Sequence, residues 1–434
     1  MNPGEISSRK ETPTSTRRSF SRTVFAAGIF ALSAGLLAGT AVPGFAADKV
    51  TLVLANSQWL DRVRGDGLKA AMKEYEKANP NVEVTFQEIP SSQISTTLTT
   101  QVGAGQGPDL MMIQDDLFFR LAGAKQLLPI PATVTEGVTL NDTNAPAVVG
   151  GERLGVAWQR APFGIMYNKD LLAKAGVALP TTTDELIAAA KKIKDATGVL
   201  GFGDLDISAN ASSYTEQVDL WTRGYGGSWA TDGKLTIVTP ENIKGVEELI
   251  KVAKSGILQQ SQGFMSSGTL PPFQQGQVAM MTDCCGAIST ALMGKVPGTS
   301  IGFAKYPVPQ DIGMHEQLFV AVNKNTKNPD VALDFVKWFI SPAGQNALRA
   351  ASGSDPLATD VPLSPEFAAK NPWAVDLAEL GKHTKTLMID GWEVQSFQIR
   401  KIIVDNIQKA IIEGGSAEDA LKAADAEIAS QVKK

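Results

Sequence analysis

The stretch from Arg153 to Asp170, RLGVAWQRAPFGIMYNKD, constrains this chain more than any other. It is an extended, largely apolar run with Pro162 and Gly164 near its centre, and it leads through Tyr167-Asn168-Lys169-Asp170 into a helix over Leu171–Ala175. Proline cannot donate to a sheet ladder and glycine weakens one, so the run is poorly suited to the middle of a single sheet. It suits a crossing between two. One unit should be built before it, and much of a second after it. A length of 434 residues, too great for one ordinary core, points the same way.

The N-terminus must be set aside before fold reasoning. Thr16-Arg17-Arg18-Ser19-Phe20-Ser21-Arg22 precedes an uncharged run from Thr23 to Val42, then Pro43 and the small residues around Ala46. This reads as a twin-arginine export signal, residues 1–46, cleaved after Ala46 or at Ala47. Neither cysteine, Cys284 or Cys285, stands near the apolar run, so a lipid anchor is not expected and the mature chain should be free in the periplasm. Removing five basic and two acidic residues moves the formal net charge from -5 to -8. That acidity argues against nucleic acid or anionic lipid as a partner. The hydrophobic content of 43% and charged content of 20% are those of a soluble globular protein.

The mature chain opens as strand, helix, strand. Val50–Leu54 is followed by an amphipathic helix through Leu68, Ala71, Met72 and Tyr75, stopped at Asn79-Pro80, and then by alternating Val82, Val84 and Phe86. A helix from Ser92 to Val102 leads through Gly103, Gly105 and Gly107 to the buried-type strand Leu110–Ile113. Those glycines lie between a helix and a strand, the reverse of a phosphate-binding fingerprint, and read as turn residues. Asp115 and Asp116 stand beyond the carboxyl end of that strand, where open α/β sheets bind ligands. Capping of a helix over Leu117–Ala122 is the competing reading.

Further on, Thr182-Thr-Asp-Glu185 has capping-box spacing, Val199–Gly203 reads as a short strand, and Asp232-Gly233 as a turn before Leu235–Val238. Ile301 to Pro309 is a second proline-bearing extended run, and Leu318–Val322 a strand. Asn328-Pro329 begins a helix with Ala332, Leu333, Val336, Phe339 and Ile340 on one stripe.

Gly107-Pro108-Asp109, Tyr167-Asn168-Lys169-Asp170-Leu171, Gly276-Gln277-Val278-Ala279-Met280, Ser341-Pro342-Ala343-Gly344-Gln345 and the tail Ser416 to Leu421 occur in the order found in one family. The chain resembles the family 1 extracellular solute-binding proteins of ABC importers, which bind mostly sugars, over essentially the whole mature sequence. The resemblance implies an α/β, two-lobed periplasmic-binding-protein fold of type II, each lobe a central sheet flanked by helices. A hinge of crossing segments would join the lobes around a ligand cleft. It implies an N-terminal lobe of residues 47–159 plus 308–341 and a C-terminal lobe of 160–307 plus 342–434. The implied partners are a mono- or oligosaccharide and the permease subunits of an ABC importer; no cofactor or metal is expected, and the chain should be a monomer.

Sugars offer hydroxyls at the ring edge and C–H groups on the faces, so their sites combine polar rims with aromatic planes. Trp59 lies just past the first strand, Trp221 precedes Gly226-Gly227, and Trp158 and Arg160 lie on the crossing. By resemblance, Trp392 in Asp390-Gly-Trp-Glu393 holds a sugar-stacking position, Tyr214 and Glu216 line the cleft, and Ser354 and Asp355 fall at a third crossing. Asp283 ends a strand where relatives carry ligand contacts. Here Cys284-Cys285 replaces the family's aromatic residue, and the pair is read either as two reduced buried thiols or as a vicinal disulfide plate. Neighbouring Cα atoms lie about 3.8 Å apart, which would strain that bond.

Within the same fold, a polyol, sugar phosphate or polyamine is the alternative ligand, with Arg160 keeping the phosphate open; five tyrosines are too few for a ferric site. A secreted carbohydrate hydrolase is the alternative of another class. His315 and His383 are the sole histidines, there is no Gly-x-Ser-x-Gly elbow, and the adjacent acids 115 and 116 point apart on extended backbone. No catalysis is expected.

Overall fold

The computed structural model describes residues 49–61, 64–203, 216–258, 270–284, 295–352 and 357–433. The export leader, Tyr214, Cys285, Ser354 and Asp355 lie outside the described residues, as do the side chains of Glu216, Asp283 and Cys284.

Strand β1 (Val50–Asn56), helix α1 (Gly65–Ala78) and strand β2 (Val82–Glu88) form the expected opening unit, with β1 and β2 parallel. The helix buries Leu68, Ala71, Met72 and Tyr75, the stripe read from its 3.6-residue spacing. Helix α2 (Ser91–Gly103) leads to β3 (Leu110–Gln114), parallel to β1, and the chain turns directly into α3 (Asp115–Gly123). Asp115 and Asp116 are therefore first-turn residues of α3. The N-cap position belongs to Gln114, whose side chain makes no cap bond.

The expected crossing is one continuous strand, β4 (Val156–Asn168), buried along most of its length. Its second half pairs antiparallel with β5 (Met280–Cys284) through residues 163–167 and with β6 (Ile301–Ala304) through residues 165–168. Its first half, up to Pro162, pairs antiparallel with β7 (Gly313–Val322), which carries a β-bulge at Leu318/Phe319. The partner thus changes between Pro162, opposite His315, and Phe163, opposite Cys284. The second proline-bearing run makes the return passage, from β6 beside the second half of β4 to β7 beside the first. On its other edge β7 pairs with β3, which continues the sheet to β1 and β2.

Gly164 shows why the crossing needs a residue without a side chain. A Cβ there would sit 2.4 Å from the carbonyl oxygen of Ala304 and 2.8 Å from the Phe303 ring. Gly164→Ala should therefore destabilise the fold by about 1–3 kcal/mol through overpacking. A lowered urea midpoint would be seen, and an unchanged midpoint would show that the strand yields without cost.

Local signals after the crossing are realised as read. Asn168 caps α4 (Lys169–Ala175), its side chain accepting from the amides of Asp170 and Leu171, and Gly176 closes the helix in the left-handed region at φ 62°. Thr182 caps α5 (Thr183–Thr197) by accepting from the Glu185 amide at 3.2 Å, and Glu185 accepts in return from Thr181. Helices α6 (Glu216–Gly224) and α7 (Pro240–Lys254) pack together, and the segment connecting them forms a short hairpin turned at Asp232-Gly233. The stretch Val199–Gly203 is less regular than expected, contributing one bridge from Leu200 to Val278. In α8 (Pro329–Ile340), Phe335 is buried and Leu333 only partly so, a one-position correction to the stripe.

Alternation along the strands divides the interior. Leu52, Leu54, Leu110 and Met112 meet Phe335 and Phe339 on one face. Met111, Ile113 and Phe118 belong to a second cluster that continues through Phe163 and Ile165 to Trp221, Leu249 and Ile403.

Candidate functional site

A cleft of about 840 Å³ opens where these parts meet. Its walls come from residues 142–150, Arg160 on β4, residues 223–230 from the last turn of α6 onward, His315 and Gln317 on β7, and residues 384–394. Strand β8 (Thr384–Thr386) brings the last segment in by pairing parallel to the start of β7. Period-two geometry puts His315 and Gln317 on the same side of β7, so both reach the cleft.

His315 is fixed as a neutral acceptor. Thr384 donates its hydroxyl to the Gly381 carbonyl at 2.9 Å, so its oxygen accepts from His315 Nδ1–H at 2.8 Å and Nε2 is left without a proton. Burial, and then the charge of Arg160, push the imidazole down to about 3. Gln317 donates to the carbonyls of Gln159 and Leu318, leaving its Oε1 buried and unpartnered. Arg160 meets Asp142 at 3.0 Å through Nη2, while its Nε is unpartnered.

Behind this wall lies a group of buried charges. Asp219 on α6 accepts from Trp229 Nε1 at 2.5 Å and from Arg400 Nε at 2.8 Å, joining α6 to helix α9 (Ser396–Glu413). Asp115 and Glu316 are both pushed up, to about 7 and about 8, by burial first and then by neighbouring carboxylates, with Arg400 opposing. Asp116 is also raised by burial, against the attraction of Arg120 at 3.3 Å. Gln114 donates to Glu316, whereas Asp115 Oδ2 has no partner.

Unfolding lets Asp115 and Glu316 ionise in the ordinary carboxylate range near pH ~4. Their contribution to stability is then fully present below that pH and is lost as pH rises through about 7 and about 8. The melting temperature of the unliganded protein should fall between pH 5 and pH 8.5, and Asp115→Asn should flatten that fall. Identical pH profiles for the two proteins by calorimetry would count against this assignment.

The tryptophans divide differently from the sequence expectation. Trp59 is 2% exposed, bonded through Nε1 to the Leu54 carbonyl and set edge-on to Phe86 and Trp158. Trp158, 1% exposed, stacks on Phe339, and Trp221, fully buried, lies edge-on to Tyr306. All three are seated among core side chains. Trp392 is half-buried beside the cleft-lining Asp390 and Glu393, with Nε1 donating to the Gly233 carbonyl at 3.1 Å. Of the acids, Asp115 and Asp116 lie with Glu316 in the buried charge group. Asp283 reaches the crossing through its backbone, opposite Gly164. Sequence reading passed over Asp219, Arg223, Gln317 and Arg400. Asp219 and Arg400 could have been flagged as charges inside apolar helical stripes.

The sequence model of the family described as bacterial extracellular solute-binding protein matches residues 61–346. A protein of Brucella abortus (strain 2308), described as a binding protein, is 24% identical over 422 residues, covering 92% of this chain and 98% of its own. The maltotriose-binding protein of Pyrococcus abyssi (strain GE5 / Orsay) is 24% identical over 308 residues, 68% of this chain and 64% of the relative. Among solved structures, the GacH receptor of Streptomyces glaucescens superposes with a TM-score of 0.77 at 19% identity, covering 88% of this chain and 98% of that one. Maltose-bound MalE3 of T. maritima also gives a TM-score of 0.77, at 21% identity, with 88% and 100% covered.

Proposed function

The chain belongs to the bacterial extracellular solute-binding protein family and has the two-lobed type II periplasmic-binding-protein fold, and from that premise we propose that it captures a sugar in the cleft and delivers it to an ABC importer. The observation that carries this reading is the set of buried, unpartnered polar atoms on the cleft wall: Gln317 Oε1, Arg160 Nε and Arg223 Nε. Buried polar groups are nearly always satisfied, so unpartnered donors and an acceptor on residues lining one cavity fit a ligand with hydroxyls that both give and take hydrogen bonds. His315 Nε2 adds another acceptor. The relatives support the same class, being described as maltotriose-binding or solved with maltose or acarbose.

In this reading β4 and the return through residues 305–312 are hinge crossings between lobes of 47–159 plus 308–341 and 160–307 plus 342–434. Ligand bridging the lobes favours the closed form by its differential affinity, and the closed form docks on the permease. No bond of the ligand is made or broken. Residues 1–46 act as a twin-arginine signal, and the mature protein works in the periplasm. Trp392 and Arg160 remain proposed ligand-side residues, while Asp115 and Asp116 lie behind the wall; Tyr214, Glu216, Asp283, Cys284, Cys285, Ser354 and Asp355 also remain proposed ligand-side residues.

A thermal-shift panel of mono- and oligosaccharides, polyols, amino acids and polyamines tests the class, because a ligand that binds only the folded protein raises its melting temperature. Stabilisation by carbohydrate is expected. A clear response to an amino acid or polyamine with none to any carbohydrate would overturn the reading.

A further inference from the structure

Arg223 is unlike the other charges around the cleft. It is a half-buried residue that lines the cavity, and its Nε is buried without a hydrogen-bond partner. A guanidinium nitrogen buried without a partner is unfavourable, since it has given up water for nothing in return. Asp219 attracts it electrostatically but has both oxygens engaged, one by Trp229 and the other by Arg400. Arg400 adds a repulsion and carries an unpartnered Nη2 of its own.

The acids on the cleft wall do not compensate this charge. Asp142 is spent on Arg160 and has an 82% exposed side chain, Glu393 accepts from the Gly391 amide, and Asp390 is exposed to solvent. The cavity wall therefore carries, at Arg223, a guanidinium that none of these acids pairs. Guanidinium groups bind carboxylate and phosphate through paired, charge-assisted hydrogen bonds.

We propose that the solute is an acidic sugar derivative whose anionic oxygens, carboxylate or phosphate, dock on Arg223. This rests on the carbohydrate reading above and narrows it to an anionic ligand. Arg160 and His315 then face the hydroxyl-bearing part, the former already neutralised by Asp142.

The test is calorimetric titration of the mature protein with matched probes: galactose against galacturonate, and glucose against glucuronate and glucose 6-phosphate. At least one acidic probe should bind tenfold or more tighter than its neutral partner. Preference for a uronate assigns a carboxylate, and preference for glucose 6-phosphate assigns a phosphate. Arg223→Gln should abolish the preference for the acidic probe, and Arg223→Lys should retain part of it. The matched comparison on the unaltered protein stands even if a variant fails to fold. Neutral sugars binding as tightly as their acidic partners would overturn the acidic assignment and leave carbohydrate capture intact. Binding of no sugar of either charge would overturn both.

Discussion

Replacing Trp158 with alanine is expected to lower the unfolding free energy by about 3–5 kcal/mol, the range for deleting a large aromatic side chain from a packed core. The ring is 1% exposed, stacked on Phe339 with centroids 5.7 Å apart and edge-on to Trp59 at 6.1 Å. It sits on the half of β4 that pairs with β7, so its removal leaves a void at the start of the crossing. Urea unfolding of the variant measures the loss. Ligand affinity, measured well below the unfolding midpoint, should change by less than about tenfold. A variant that keeps its stability but loses ligand would return Trp158 to the cleft.

The second large effect concerns the buried pair of Asp219 and Arg400, whose side chains are 1% and 2% exposed. Asp219→Ala leaves Arg400 charged and unpaired and removes the acceptor of Trp229, which should cost about 3–5 kcal/mol. The double variant Asp219→Ala/Arg400→Met should recover a large part of that loss, because a buried ion pair and an apolar replacement of similar volume are often close in stability. Single-variant losses below about 1 kcal/mol, the scale of an exposed pair, would show that water reaches this site. Arg400→Met alone should unsettle Asp219 similarly, since the two act as one unit.

What the sequence disclosed follows from the range of the interactions involved. Pro162 and Gly164 announced the crossing because a missing donor and a missing Cβ are local properties of an extended run, and the strand changes partner between Pro162 and Phe163. Asn168 and the Thr182–Glu185 box were equally legible, their bonds spanning two or three residues. The tryptophans were not. A tryptophan just past a strand can face a cleft or fold back, and Trp59 folds back because the Leu54 carbonyl and the rings of Phe86 and Trp158 receive it. The Trp158 ring, one of these three contacts, arrives on a distant segment of the chain. Asp219 and Arg400 are separated by 181 positions, so no local pattern pairs them. Asp115 and Asp116 were rightly placed at a strand end. Their upward shift could not be read there, because it comes first from burial under other elements and is opposed by Arg400, far away in sequence.

Hydrogen exchange in the presence and absence of the best-stabilising carbohydrate tests capture between the two lobes most directly. The cleft draws on residues 142–150, 223–230 and 384–394, with β7 between them. A ligand that bridges these walls should slow exchange in all three segments together, along with the passages at 156–168 and 305–312. Protection confined to a single segment, or none at ligand concentrations that raise the melting temperature, would contradict capture in this cleft.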